Sequence, residues 1–206
     1  MQPRAPLARP LPIRHIAFMP MPSVPDFAAT SLDALAAFID GDTLPPVERW
    51  KPAHSGAIDI RITADVRWFH EGGEISRPAM VRAFSRILRR EADGSYVLVT
   101  PAERLTIAVE DAPLLAVEAR VEGEGAVQTI ALRLNTDHML LLGAEHPLVL
   151  RDGSAGRLPY LRVSGSAERP VEARLSRSTY YQLAEVADDD GCVWSGGMRF
   201  ALADAA

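Results

Sequence analysis

The chain has 206 residues, of which 48% are hydrophobic and 24% charged, and its formal net charge is −5 at pH 7. This composition is typical of a globular protein and gives no indication of nucleic-acid binding, and no apolar run approaches the roughly 20 residues that span a bilayer. The single cysteine, Cys192, excludes an intrachain disulfide and a cysteine-based zinc site. We therefore expect a cytoplasmic protein that contacts neither nucleic acid nor membrane.

The N-terminal segment is rich in proline, with seven prolines among residues 1–25. Prolines interrupt each candidate apolar stretch, so the segment is a poor match to a secretory signal despite its arginines. Residues 1–25 are predicted to be a disordered or polyproline-like arm. A short helix is expected next, over the stretch "SLDALAAFID".

Alternating apolar and polar residues then predict strands. In "AIDIRITAD" the isoleucines Ile58, Ile60 and Ile62 share one face, which is typical of a half-buried strand. The stretch "VRWFHEGGEI" predicts a second strand that runs into a Gly-Gly turn. Four further strands are expected in "SYVLVT", "RLTIAVED", "LLAVEARVEG" and "AVQTIALRL".

A helix is predicted over residues 77–91, with Ser76 as its N-cap and Pro78 in its first turn. An apolar stripe formed by Val81, Phe84, Ile87 and Leu88 would face the core. On the opposite face the same spacing places arginines that could bind phosphate or acids, or simply face solvent. These arginines are Arg82, Arg86, Arg89 and Arg90.

The second half has a similar order, with strands in "HPLVLR", "PYLRVS" and "VEARLS", a helix in "RSTYYQLAEVA" and a closing hairpin in "CVWSGGMRFAL". The likeness predicts an internal structural duplication: an α+β fold of two subdomains, 26–112 and 113–206, each a small antiparallel sheet with one packed helix. In this alignment Arg77 and Arg177 would occupy equivalent places at the two helix starts. A cation there is mildly unfavourable, so we expect a carboxylate partner: Glu74 or Asp111 for Arg77, and Glu172 for Arg177.

Several longer stretches resemble a bacterial family described as a domain of unknown function, DUF1285. They are "WKP", "GAIDIRI", "DVRWFH", "GEISRP", "ILRREADGSYVLVTPAE", "VEDAP" and "NTDHMLLLGAEHPLVL", and the resemblance covers about residues 30–206. One departure is Val66, where we expect a glycine after Asp65. The resemblance implies two related α+β subdomains and no established activity, and it suggests a part in bacterial signalling.

The candidate binding residues lie on or next to the helix predicted over residues 77–91: His70, Glu74, Arg77, Arg82, Arg86 and Arg90. No metal site is expected, because His70 and Glu71 point to opposite faces of a strand. We therefore expect a non-catalytic ligand-binding or regulatory module without a cofactor. Its partner would be a protein or an anionic small molecule, and the sequence leaves an oligomer open. The alternative is a hydrolase that uses His70 with Glu71, Glu74 or Asp65.

A first prediction concerns the proline-rich arm. A shortened protein that begins at Met21 should melt within a few degrees of the full chain, because prolines prevent the arm from adding a packed element. Thermal unfolding followed by circular dichroism measures this, and a melting temperature lower by about 10 °C or more would contradict it.

Overall fold

The computed structural model describes residues 44–153 and 156–204. The proline-rich arm and the helix expected at "SLDALAAFID" lie outside these residues. After a 3-10 helix at Val47–Arg49, the first half contains six strands and helix α1 at Pro78–Ser85. The strands are β1 (His54–Ile62), β2 (Trp68–His70), β3 (Gly73–Glu74), β4 (Leu88–Arg90), β5 (Tyr96–Val99) and β6 (Glu103–Val109).

These six strands form one sheet in the order β3-β2-β1-β6-β5-β4. The strands are antiparallel except at the centre, where β1 and β6 run parallel. The predicted alternation in β1 is confirmed, since Ile60 and Ile62 are buried and Ile58 packs against the core. The first and last of these strands therefore lie side by side at the centre of the sheet, and β3 and β4 form its edges.

The second half begins with β7 and ends with a separate hairpin. Its strands are β7 (Leu114–Glu122), β8 (Thr129–Leu134), β9 (Met139–Leu141), β10 (Leu148–Gly153), β11 (Gly156–Gly165), β12 (Pro170–Leu175), β13 (Cys192–Ser195) and β14 (Met198–Ala201). A 3-10 helix (Gly125–Val127) precedes β8, and helix α2 (Arg177–Ala184) follows β12. The sheet order is β10-β11-β12-β7-β8-β9, and β13 pairs with β14.

The two sheets have the same topology, which confirms the internal duplication within an α+β fold. In each six-stranded sheet the first strand along the chain pairs in parallel with the last, β1 with β6 and β7 with β12. All other pairs are antiparallel, and the order outward from the centre is the same. The sequence predicts antiparallel sheets, and the structure differs from this prediction by one parallel pair at the centre of each sheet.

The prediction that the two helices occupy equivalent places in the two halves is wrong. Helix α1 lies between the third and fourth strands of its half, whereas α2 follows the sixth strand of the other half. Arg77 is itself the N-cap of α1, while Ser176 caps α2 by accepting a hydrogen bond from Thr179 N. Arg77 and Arg177 are therefore not equivalent, and the repeat is carried by the sheets.

Helix α1 is also shorter than predicted. It ends at Ser85, and the residues that follow form β4, which pairs with β5 through Leu88↔Leu98 and Arg90↔Tyr96. Edge pairing with the buried β5 outweighs the helical spacing of the apolar residues, since local propensity is worth only tenths of a kcal/mol per residue. Val81 and Phe84 still pack on the core, and the Phe84 ring stacks on Trp68 at 6.3 Å.

One apolar core joins the halves, with Ile62, Trp68, Leu88, Leu132 and Leu161 buried in the same cluster. Neither of the two α-helices in the described ranges has the length and apolar character needed to cross a membrane.

The turn between β1 and β2 holds Val66 in the left-handed region, with φ of 63°. The turn forms although its residue is not glycine: Val66 N donates to Thr63 O at 2.8 Å, and Thr63 N donates to Arg67 O at 3.0 Å. The Val66 side chain is buried in the core. Burial therefore stabilises a backbone conformation that a β-branched residue rarely adopts.

The positive φ of Val66 predicts that glycine is more stable than alanine at this position, the reverse of the usual order in a strand. The free energy of unfolding of Val66→Gly should be about 1 kcal/mol higher than that of Val66→Ala, because both variants lose the buried side chain and glycine alone relieves the strain. At Val97, which is buried in β5 and has no positive φ, glycine should instead be about 1 kcal/mol less stable than alanine. Urea unfolding of the four variants measures both differences, and the same order at the two positions would contradict the prediction.

Candidate functional site

An open pocket of about 300 Å³ lies between helix α1 and strands β1 to β3. Its wall is largely apolar, and its polar lining includes three of the predicted binding residues, His70, Glu74 and Arg77. The apolar lining residues are Ile58, Ile60, Ile75, Met80 and Phe84. An apolar cavity with a few polar groups is the usual form of a small-molecule site.

Arg77 is the cation of this pocket. It is exposed, and among the described residues its side chain has no carboxylate within ion-pair distance, so the expected partners Glu74 and Asp111 are wrong. Glu74 instead lies 3.7 Å from Arg67. Pro78 has no N–H and Met80 N donates to Arg77 O at 3.0 Å, so the start of the helix offers little to an anion beyond the Arg77 side chain.

The residues of the hydrolase alternative are not brought into one hydrogen-bonded group. His70 is half-buried in the pocket, and Glu71 is exposed in the turn that follows it, with φ of 49°. Asp65 accepts hydrogen bonds from Thr63 and Arg67, and these bonds hold the pKa of its carboxyl below the usual range. Within residues 44–153 and 156–204, no group of three histidine, cysteine or acidic side chains is arranged to hold a metal ion.

The other three predicted binding residues lie away from the pocket, and the arginine face expected on one long helix does not exist. Arg82 is on α1 and forms an ion pair at 2.5 Å with Asp137 of the second half. Arg86 caps the C-terminus of α1, and Arg90 lies on β4. Arg82 is therefore a contact between the halves and is not on a solvated face.

A second polar group, which we name the junction cluster, lies where the first sheet meets the second. It contains three arginines, two acids and two tyrosines: Arg90, Arg151, Arg174, Asp111, Glu172, Tyr96 and Tyr160. The two acids are buried, with side chains 4% and 6% exposed, whereas the arginine side chains are 23–31% exposed. The cluster thus has a buried acidic floor beneath arginines that reach the surface.

Asp111 and Glu172 each interact with arginine. Glu172 Oε2 lies 2.9 Å from Arg151 Nε and 3.6 Å from Arg90 Nη1. Asp111 lies 3.9 Å from both Arg151 and Arg174. The expected pairing of Glu172 with Arg177 is therefore wrong, because Glu172 points into the junction between the halves.

Burial raises the pKa of three groups in the cluster: Tyr96, Tyr160 and Glu172. Desolvation raises the pKa of Glu172 above its usual value, although the nearby arginines act in the opposite direction. Burial and the hydrogen bond that Tyr160 donates to Asp111 Oδ1 at 2.8 Å raise the pKa of Tyr160 to about 12. The tyrosine therefore remains a neutral hydrogen-bond donor well above neutral pH.

Sequence reasoning missed this cluster as a group. In "VEARLS", Glu172 and Arg174 alternate with the buried Val171 and Ala173, a pattern that normally indicates a strand with one face in solvent. The signal that can be seen in the sequence is weak: charged residues recur on the polar face of a strand that ends next to a helix cap.

The fold and both polar sites thus define a protein of two related α+β halves with a pocket in the first. The comparisons agree with this description. Residues 45–112 match the family model "Domain of unknown function (DUF1285), N-terminal domain", and residues 113–202 match "Protein of unknown function (DUF1285), C-terminal domain". The chain belongs to the DUF1285 family.

Two solved structures are similar to the chain. A DUF1285 family protein from Silicibacter pomeroyi DSS-3 is 36% identical, with a TM-score of 0.70, over 84% of this chain and 95% of that chain. A DUF1285 family protein from Shewanella baltica OS155 is 22% identical, with a TM-score of 0.48, over 64% of this chain and 94% of that chain. A search of curated proteins found no match.

The hydrogen bond between Tyr160 and Asp111 gives a prediction. Tyr160→Phe should lower the free energy of unfolding by about 1.5–3 kcal/mol at pH 7, because the buried carboxylate loses a donor. This difference should shrink as the pH rises from 10 to about 12, since the unfolded chain ionises the tyrosine before the native protein does. Urea unfolding at several pH values measures it.

Tyr181→Phe is the matched control, because Tyr181 is exposed and should contribute within about 0.5 kcal/mol at every pH. A Tyr160→Phe difference that is independent of pH between 10 and 12 would contradict the assignment of the raised pKa.

Proposed function

We propose that the protein is a non-catalytic ligand-binding module whose pocket in the first half holds a small amphiphilic acid. The observation that carries this proposal is Arg77, an arginine without an ion-pair partner among the described residues, at the edge of an apolar pocket. An apolar ligand tail would contact the isoleucines and Phe84, and its acid group would reach the guanidinium, which can bind a carboxylate with two hydrogen bonds.

The remaining polar groups of the pocket fit the same ligand. His70 and Ser76 can form hydrogen bonds with an acid group, while the charge of Glu74 is partly balanced by Arg67. A volume of about 300 Å³ is at the small end of the range for ligand sites, which favours a short chain or a single ring system.

A regulatory role follows from the position of α1. The helix contributes Arg77, Met80 and Phe84 to the pocket. The same helix carries Arg82, which forms an ion pair with Asp137 of the second half. A ligand that moves or stabilises α1 would therefore change a contact between the halves. We propose that this coupling acts in a cytoplasmic signalling pathway, with the ligand as its input.

The test uses 8-anilinonaphthalene-1-sulfonate, an aromatic anion whose fluorescence increases in apolar sites. The full chain should bind this probe, and Arg77→Gln should weaken binding by about tenfold to a hundredfold, as expected for loss of a hydrogen bond to a charged group. Octanoate should displace the probe at lower concentration than 1-octanol, because only octanoate carries the acid group.

Arg177→Gln is the matched control, since Arg177 is an exposed arginine at the start of the other helix and does not line the pocket. The proposal would be overturned if the unchanged protein and Arg77→Gln bound the probe with equal affinity, or if octanoate and 1-octanol displaced it at equal concentrations.

A further inference from the structure

We propose that the acid held in the pocket beside α1 is the C-terminal end of an extended peptide. The peptide backbone would pair with the free edge of β3, and its terminal carboxylate would lie on Arg77. This inference rests on the function proposed above, because it uses the same pocket and the same arginine and names the chemical class of the ligand. The added element is the backbone pairing, which a free amphiphilic acid does not offer.

Strand β3 (Gly73–Glu74) is an accessible sheet edge that borders the pocket. It pairs with β2 on one side and is the outermost strand of its sheet. Gly73, Glu74, Ser76 and Arg77 are exposed, and all four also line the pocket. A ligand in the pocket therefore lies next to an open backbone edge.

The strand register shows which backbone groups this edge presents. The two-residue turn between β2 and β3 has positive φ at both positions, 49° at Glu71 and 78° at Gly72, which fixes the hairpin as a type I′ turn. After the turn, Ile75 N donates to Trp68 O of β2 at 2.8 Å. Successive residues of an antiparallel strand direct their backbone groups to opposite sides, so the N–H and C=O of Glu74 point away from β2. These two groups are available to an added strand.

The Glu74 side chain does not repel an acid in the pocket. Glu74 is opposite Phe69 in the register, so its side chain lies on the other face of the sheet from Ile75, which lines the pocket. On that other face its carboxylate is 3.7 Å from Arg67, whose guanidinium lies 5.4 Å from the centre of the Phe69 ring. Strand β3 therefore supplies backbone groups to the pocket side, and its negative charge is directed away and partly balanced.

The position of Arg77 sets the direction of the peptide. Arg77 follows Glu74 by three residues and has an extended backbone, with φ of −85° and ψ of 110°. At about 3.3 Å per residue, a peptide that pairs at Glu74 and runs parallel to β3 reaches Arg77 after two or three more residues. Arg77 has no ion-pair partner among the described residues, so its charge complements a terminal carboxylate at this point.

The apolar wall of the pocket favours an apolar last residue. A volume of about 300 Å³ can hold one leucine or phenylalanine side chain between Ile60 and Phe84. Met80 is 39% exposed at the same pocket, and its flexible thioether can adjust to either shape. The expected ligand therefore has three features: a free C-terminal carboxylate, an apolar terminal side chain and an extended backbone before it.

The experiment measures fluorescence anisotropy of a fluorescein-labelled peptide, Thr-Val-Thr-Val-Leu, with the full chain. The peptide with a free C-terminus should bind, and the same peptide with a C-terminal amide should bind about tenfold to a hundredfold more weakly, as expected for loss of a charged hydrogen-bond partner. In Arg77→Gln the difference between the two peptides should disappear. Arg177→Gln, outside the pocket, should retain it.

Two variants of Glu74 test the backbone pairing. Glu74→Pro and Glu74→Ala both remove the carboxylate and its contact with Arg67, but only proline removes the outward N–H. Proline is tolerated on an edge strand where the N–H faces solvent. Glu74→Pro should therefore bind the free peptide about threefold to tenfold more weakly than Glu74→Ala, in line with one lost hydrogen bond. Octanoate has no peptide group, so it should displace 8-anilinonaphthalene-1-sulfonate equally from the two variants.

The inference would be overturned if the free and amidated peptides bound with equal affinity, or if the two Glu74 variants bound the free peptide equally. Thermal unfolding of each variant by circular dichroism checks that both are folded at the temperature of the binding assay. Displacement of the fluorescent anion by octanoate without binding of the peptide would reject this inference and leave the proposed function standing. Absence of binding by octanoate and by the peptide would reject both.

Discussion

The parallel pairing of the first and last strands in each half is the constraint on which the rest of the structure depends. Because β6 pairs with β1 and β12 pairs with β7, the chain both begins and ends each six-stranded sheet at the centre of that sheet. The chain segments that follow β6 and β12 therefore leave from the middle of a sheet. After β6 this places Asp111 in the junction between the halves, and after β12 it places α2 against β7, where Thr179 donates to Ala116 O.

The helices are additions to this repeated sheet, and their different positions separate the roles of the halves. Helix α1 covers part of the first sheet without closing it off, so an apolar pocket remains between the helix and strands β1 to β3. In the second half α2 is followed by the β13–β14 hairpin, and Leu183 and Val193 are both buried in the core. The two related sheets thus differ in what packs on them: the first has an accessible pocket beside α1, and the second is packed against α2 and the β13–β14 hairpin.

The sequence predicts local structure well where one physical effect dominates. Alternation identified β1, because burial on one face of a strand leaves a direct trace in the pattern, and the turn residues Asp93-Gly94 marked the start of β5. The end of α1 could not be predicted in this way. Val81, Phe84, Ile87 and Leu88 have helical spacing, but pairing with β5 determines the structure from Leu88 onward.

Long-range partners were the other limit. Sequence reasoning selected His70, Glu74 and Arg77, which line one pocket, yet it assigned Asp111 and Glu172 to the wrong arginines. Ion pairs between residues on different sheets depend on topology, and a parallel pair of strands separated by a whole half of the chain has no local signal.

The same strand pairing governs how the protein forms during synthesis. β1 has no central partner until β6 has been made, as the contact between His54 and Glu103 shows, so the first sheet closes late and across a long loop. The second sheet repeats this delay between β7 and β12. On the ribosome the first half can therefore complete its sheet while the second half is still being translated, and the junction between them is assembled last from two preformed surfaces.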